Sequence, residues 1–308
     1  MSACVATAAT PLHHNRAMSE TDRARVPLAL GALCLIWGST FLAIRVALEG
    51  GFPPLLMAGL RFLFAGGALL AFMKLRGAPW PTQKEWRSCL LVGTLLVCAN
   101  ACVVVSEQWV TSSVAAIAIA SIPLWAALFG GLFGRWPRRG EWIGLAVGLL
   151  GVAVLQGRSE MRASPAGAAV LTLSCISWAL GSVWSRRLPL PQGLMSSGAQ
   201  MLAGGVVLTA GALLAGERFH ATPSVAGWAA FAYLVVFGSI VGYSAYQFLL
   251  TRVRPTLATS YAYVNPIVAV ALGAALAGEA VAPAALGALV LILAGVALLA
   301  MERARAAA

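Results

Sequence analysis

The chain has 308 residues, 60% of them apolar and only 10% charged, with a mean hydropathy of +0.86. A soluble domain carries about a quarter charged residues, so this composition excludes an ordinary soluble enzyme or binding module. The net charge of +11 does not point to nucleic acid, because the basic residues sit in short clusters between apolar runs and form no single patch.

Residues 1–26 are polar and mixed, without a charged start leading directly into an apolar core and a cleavage site. They are expected to be a disordered cytoplasmic tail, and Met18 is an alternative start. Ten apolar segments follow, near 28–48, 54–73, 88–106, 110–133, 142–156, 165–185, 193–215, 225–250, 256–278 and 283–301. Most approach the roughly 20 residues that cross a bilayer, the fifth being short. The expected fold class is an all-α membrane protein of ten transmembrane helices.

Lys and Arg in the short loops set the orientation. With the N-terminus in the cytoplasm, inside segments hold 16 of the 21 basic residues. Outside loops hold only Arg158, Arg162 and Arg218; Arg45 and Arg61 lie within spans. Both termini are therefore expected in the cytoplasm of a multi-pass inner-membrane protein.

Several chemistries are missing from the spans. Lys74 and Lys84 flank a loop, and His13, His14 and His220 lie outside the apolar runs. Cys4, Cys34, Cys89, Cys98, Cys102 and Cys175 read as small packing residues, without a zinc-type pairing to His. No cofactor, metal or enzyme chemistry is expected. A channel would need a selectivity ring or a continuous polar stripe, and neither is visible.

The two halves echo each other. "ASIPLWAALFGG" (120–131) resembles "YVNPIVAVALGA" (263–274), which places Pro123 and Pro266 143 residues apart. Gly144 maps onto Gly287 by the same shift, Trp37 onto Trp178 at 141, and "AGG" recurs at 65–67 and 203–205. The unit is five helices. Because five is odd, the second copy enters the membrane inverted, an architecture found in many secondary transporters. The expected division is a first repeat over 27–157 and a second, inverted repeat over 164–302.

Four stretches carry a family resemblance: "LIWGSTFLAIRVAL" (35–48), "PPLLMAGLRFLFAGGALL" (53–70), "SEQWVTSSVAAIAIASIPLW" (106–125) and "YAYVNPIVAVALGAALAGE" (261–279). They are similar to EamA-type members of the drug/metabolite transporter superfamily, in the YedA-like branch of exporters. The resemblance implies two five-helix repeats and export of small metabolites or drug-like amphiphiles across the membrane. Family members often carry a "GE" pair after the proline-containing helix of both halves. Here the second half has Gly278-Glu279, whereas the first reads "FGRWPRRGE". A role shared by two such glutamates is thereby put in question.

The candidate site follows from polar groups in apolar spans. Pro123 and Pro266 are paired helix breaks, which free backbone carbonyls that must find partners or line a cavity. Tyr261 and Asn265 share a helix face, and Tyr263 lies on the other side. Phenol and amide groups are costly to leave unpaired in hydrocarbon, so these are substrate-binding candidates or helix-bridging groups. Tyr243 and Tyr246, with Gln247, extend the same wall. Trp37 and Trp178 serve packing or ligand stacking, Ser39, Thr40 and Ser182 neighbour them and supply hydroxyls, and Asn100, in the middle of the third apolar segment, is a similar candidate. Arg61, about seven residues inside its span, needs a partner; Glu49, Glu107 and Glu279 are the acidic candidates. Arg61, Glu107 and Glu279 are thus gating or coupling candidates, although solvation at a helix end explains the glutamates equally well. Gly144, Gly148, Gly151, Gly66 and Gly67 form small-residue faces suited to close helix packing, within one bundle or across a homodimer. The expected partners are the lipid bilayer and a small-molecule substrate.

Overall fold

The computed structural model describes residues 20–106, 108–109, 118–134, 136–156, 165–265, 267–268 and 283–307. Every regular element among them is helical. Hydrocarbon offers no water to backbone groups, and a helix satisfies them internally. In chain order the helices are α1 (Glu20–Glu49), α2 (Pro54–Leu75), α3 (Gln83–Ser106), α4 (Ile122–Leu132), α5 (Arg139–Gln156), α6 (Pro165–Trp184) and α7 (Leu194–Leu214). Then come α8 (Val225–Tyr233), a π-helical stretch (Leu234–Val241), α9 (Gly242–Arg252), the short α10 (Pro255–Ala258) and α11 (Pro283–Ala307).

Among the described residues, six helices are long and apolar enough to cross a membrane: Ala24–Glu49, Pro54–Leu75, Gln83–Ser106, Pro165–Trp184, Leu194–Leu214 and Val225–Arg252. Two apolar helices are shorter, Ala118–Leu132 and Val290–Leu299. The outer faces are apolar: Leu35, Phe64, Phe72, Leu173, Val206, Val236 and Phe237 are exposed. Arg61, Gln200, Ser239 and Asn265 are buried instead. This inverts the layout of a soluble protein and suits a lipid surround.

Local chemistry explains several helix starts. Thr82 and Glu85 form a capping box at α3: the Thr82 backbone N–H donates to Glu85 Oε2 (2.7 Å) and the Glu85 N–H to Thr82 Oγ1 (3.3 Å). Ser224 Oγ accepts from the Gly227 N–H at the start of α8. At α2, where prolines leave few donors, Glu217 reaches over from the α7–α8 connection. Its carboxylate accepts from the Leu55 and Leu56 N–H groups at 3.2 and 2.8 Å. An acceptor of negative charge at a helix N-terminus is favoured by the helix dipole.

Several helix pairs pack closely on glycine, among them α2 with α7 and α5 with α11. α2 lies along α7, where a Cβ on Gly205 would sit 2.5 Å from Leu63 N and one on Gly59 2.8 Å from Thr209 N. α5 lies along α11, where Gly144, Gly148 and Gly151 face Gly295 and Ile292. The small-residue faces expected for close packing are therefore filled inside one chain. Of the five glycines, only Gly67 has open space beside it, which leaves little of those faces for a second copy.

Pro123 stands beside an irregularity in the apolar helix Ala118–Leu132. It lies buried in the first turn of α4, directly after a break at Ser121. The break is sealed by Ser121 Oγ and N–H, which both donate to Ala118 O at 2.6 and 3.0 Å. Cys175 Sγ of α6 donates to the same carbonyl at 3.0 Å. Pro266 lies outside the described residues.

Candidate functional site

A central cavity opens among α1, α2, α3, α6, the π-helical stretch and the helical residues Tyr261–Asn265. It holds about 600 Å³ of empty space, its open mouth included. Of the residues singled out from sequence, Trp37, Thr40, Asn100, Arg61, Trp178, Tyr243, Tyr261 and Asn265 line it. Phe41, Phe62 and Ser174 complete much of the wall.

Its floor is an aromatic cluster. Trp37 meets Trp178 edge to face at 5.3 Å between ring centroids, Tyr261 at 4.6 Å and Tyr246 at 5.4 Å. Each such pair is worth about 0.5–1.5 kcal/mol beyond burial. The polar edges are paired: Trp178 Nε1 donates to Tyr246 Oη at 3.0 Å, and Ser182 Oγ shares a 2.5 Å hydrogen bond with the same hydroxyl. Thr40 Oγ1 donates to the Trp37 carbonyl, at 2.7 Å.

The π-helical stretch positions the charged corner. Its wider turn places Gly238 and Ser239 toward α1 and α2, and π segments of this kind frequently occur at functional sites. Trp37 Nε1 donates to Gly238 O at 2.9 Å. Arg61 Nε donates to Ser239 Oγ at 2.7 Å, and its guanidinium lies 4.9 Å from the Phe62 ring centroid. A Cβ on Gly238 would sit 2.7 Å from Arg61 Nη2, so glycine leaves the guanidinium its space. Arg61 is 2% exposed and meets no carboxylate among the described residues. Of the three acidic candidates, Glu49 pairs instead with Arg45, at 2.9 Å on the exposed rim. Glu107 and Glu279 lie outside the described residues.

Two amide oxygens face the same space. Asn100 Oδ1 and Asn265 Oδ1 are both buried and accept no hydrogen bond among the described residues. Other candidates turn away. Tyr263 is fully buried, donates to Leu145 O at 3.3 Å and packs on Gly148, so it serves the contact with α5. Ser39 pairs with Tyr233 Oη at 2.6 Å, away from the cavity. Tyr246 and Ser182 form the layer beneath. Tyr243 donates to Gln200 Oε1 at 3.0 Å, which also accepts from Gln247 Nε2 at 2.9 Å. Sequence reading missed Gln200 and Ser239, because each gains its role only when α7 or the π stretch packs against the other helices.

A polar lock closes the end opposite Arg61. Arg254 pairs with the buried Glu141 at 2.6 Å, and Glu141 also accepts from the Arg138 N–H at 2.8 Å and Thr256 Oγ1 at 3.4 Å. Arg254 Nη2 donates to Trp136 O at 3.2 Å, Arg187 Nη2 to Phe133 O at 2.7 Å, and Arg186 Nη1 to Val253 O. The loops around 136–141, 185–187 and 253–256 are thus tied together.

Known proteins place this architecture. The model of the EamA-like transporter family matches residues 26–156 and 165–301. The uncharacterized inner membrane transporter YedA of Escherichia coli K12 is 47% identical over 253 residues, covering 82% of each chain. A probable amino-acid metabolite efflux pump of Salmonella typhimurium is 24% identical, covering 85% of this chain and 90% of its own length. A solved crystal structure superposes with a TM-score of 0.74 at 21% identity, over 92% of this chain and 98% of the other, so the fold is shared. With both halves matched by the family model and an inner-membrane relative nearly half identical, the chain belongs to the EamA-like transporter family.

Proposed function

We propose that this membrane transporter is a secondary carrier that exports small amino-acid-like metabolites or drug-like amphiphiles by alternating access. The observation that carries the reading is the central cavity, walled by helices of both halves and presenting Arg61, Asn100 and Asn265 among aromatic rings. Groups of this polarity are expensive at membrane depth and mark transport pathways.

The reading includes ten spans in two inverted repeats, with both termini in the cytoplasm. Packing between repeat-related elements supports it: Trp37 meets Trp178, α2 meets α7, and α5 meets α11. Such contacts are expected around a pseudo-two-fold axis. In this orientation the Glu141–Arg254 lock lies on the cytoplasmic side, and Arg61 lies in the outer half of the bilayer. Rocking of the halves would break the lock when the cavity opens inward.

The relative from Salmonella, described as a probable amino-acid metabolite efflux pump, supports a substrate of that class. The test is a tolerance screen with metabolites and toxic analogues in cells with and without the protein, followed by transport assays on Tyr261→Phe/Asn265→Leu. The double variant should insert and purify but transport the selected substrate poorly. Wild-type transport by it would refute the cavity assignment.

A further inference from the structure

We infer that the end of the bundle closed by the Glu141–Arg254 lock is a binding surface for an anionic phospholipid. Its phosphate sits among Arg138, Arg139, Arg187 and Arg252, and its acyl chains lie on the apolar residues beside them. Three connections meet at this end, over 133–142, 185–190 and 251–256. Hydrogen bonds tie them together: Arg187 Nη2 donates to Phe133 O at 2.7 Å, Arg254 Nη2 to Trp136 O at 3.2 Å, and Arg186 Nη1 to Val253 O. Together the three connections hold seven arginines and one carboxylate, Glu141. Glu141 is buried and turned to Arg254. A second carboxylate, Glu302 of α11, reaches the patch over Gly140. Two carboxylates leave a large positive excess, and Arg138, Arg139, Arg187 and Arg252 all face outward. A bond to a carbonyl positions a guanidinium without cancelling its charge, so like charges gathered here repel. An anion relieves that repulsion.

The position of the patch selects a lipid as that anion. α4 ends at Leu132, α5 begins at Arg139, α6 ends at Trp184 and α9 ends at Arg252. Apolar helices end where hydrocarbon gives way to headgroups, so these arginines stand at phosphate depth. Leu132, Trp136 and Ile143 are exposed on the same side and offer apolar surface to acyl chains, with Trp136 suited to the headgroup belt. Arg187 and Arg252 lie over the Phe133 and Phe248 rings, at 4.2 and 5.6 Å from the centroids. Each guanidinium is thereby held at the rim of an apolar span, with its stem along apolar surface. A guanidinium fork matches a phosphate, and basic pockets between helix ends take anionic headgroups. A soluble acidic partner would leave the apolar side of the patch unused. The connection over 74–87 provides the comparison: it has four basic residues and Glu85 on a single stretch of chain, and Lys74 Nζ is turned to Ala78 O at 2.8 Å.

The experiment is native mass spectrometry of the purified full-length protein in a non-ionic detergent, titrated with phosphatidylglycerol or phosphatidylcholine of one chain length. Phosphatidylglycerol should bind about 10-fold more tightly than phosphatidylcholine. Arg187→Gln/Arg252→Gln should bring the two lipids to equal affinity, whereas Arg76→Gln/Lys84→Gln, which removes the same charge from the comparison connection, should keep the preference. Should the first double variant fail to purify, Arg187→Gln alone, at an exposed side chain, must reduce the preference. An excess of sn-glycerol 3-phosphate, a phosphate without acyl chains, should not displace the bound lipid. Equal affinity of the two lipids for the wild type overturns the inference, as does a preference that survives in the Arg187 variants. Equal loss in both double variants shows attraction by net charge alone, and displacement by sn-glycerol 3-phosphate shows a soluble phosphate compound to be the ligand; either result also overturns it.

Discussion

Trp37 and Trp178 stand 141 positions apart and meet edge to face, with ring centroids 5.3 Å apart, at the floor of the central cavity. Each uses its indole N–H differently. Trp37 donates to the Gly238 carbonyl inside the π-helical stretch, and Trp178 donates to the Tyr246 hydroxyl. Sequence-equivalent residues thus hold inequivalent jobs: one braces the backbone that positions Arg61's partner, and the other braces a tyrosine.

That inequality predicts unequal costs. Tyr246 keeps Ser182 when Trp178 loses its N–H, whereas among the described residues Trp37 is the side chain that donates to Gly238 O. A hydrogen bond of this kind is worth about 0.5–1.5 kcal/mol. Thermal unfolding in detergent should therefore show Trp37→Phe to be the more damaging change, with transport falling in parallel. Equal loss in the two variants would remove the bracing role.

The lock between Arg254 and Glu141 makes an energetic prediction. Glu141 is buried while Arg254 is 32% exposed at its side chain, so solvent screens part of the interaction. Glu141→Gln, Arg254→Gln and the double variant form a cycle. The coupling should be about 0.5–3 kcal/mol, and each single variant should change the transport rate because the closed end is less well held. Strict additivity in unfolding would show that the pair does not act as a unit.

Proton coupling, if it runs through Glu107 or Glu279, requires a titrating carboxyl. The corresponding Gln variant should then lose its dependence on an imposed pH gradient while still exchanging substrate. A dependence retained in both Gln variants rules the two glutamates out.

Much of the architecture was legible because hydrocarbon imposes simple rules. Apolar runs mark α1, α2, α3, α6, α7 and the helix over Val225–Arg252 closely. The repeat-matched tryptophans and the shared face of Tyr261 and Asn265 both end at the cavity. Ser39 could have been set aside: two residues from Trp37 on a helix is nearly the opposite face. The sequence marks Arg61 as needing a partner, and among the described residues it donates to Ser239. A π-helical stretch leaves no periodicity mark of its own, so the hydroxyl it turns inward was not foreseeable. Gln200 was invisible for a related reason. It lies in a run of small residues, and only the packing of α7 against α9 brings it to Tyr243 and Gln247.

The central claim, that a solute binds in this cavity and is carried across, is tested most directly by flux in liposomes holding the purified protein. Initial rate should saturate with the concentration of the substrate found in the tolerance screen, and Tyr261→Phe/Asn265→Leu should raise the half-saturating concentration or lower the maximal rate. A rate that rises in proportion to concentration without saturating, unchanged in the double variant, would contradict the account and favour an open channel.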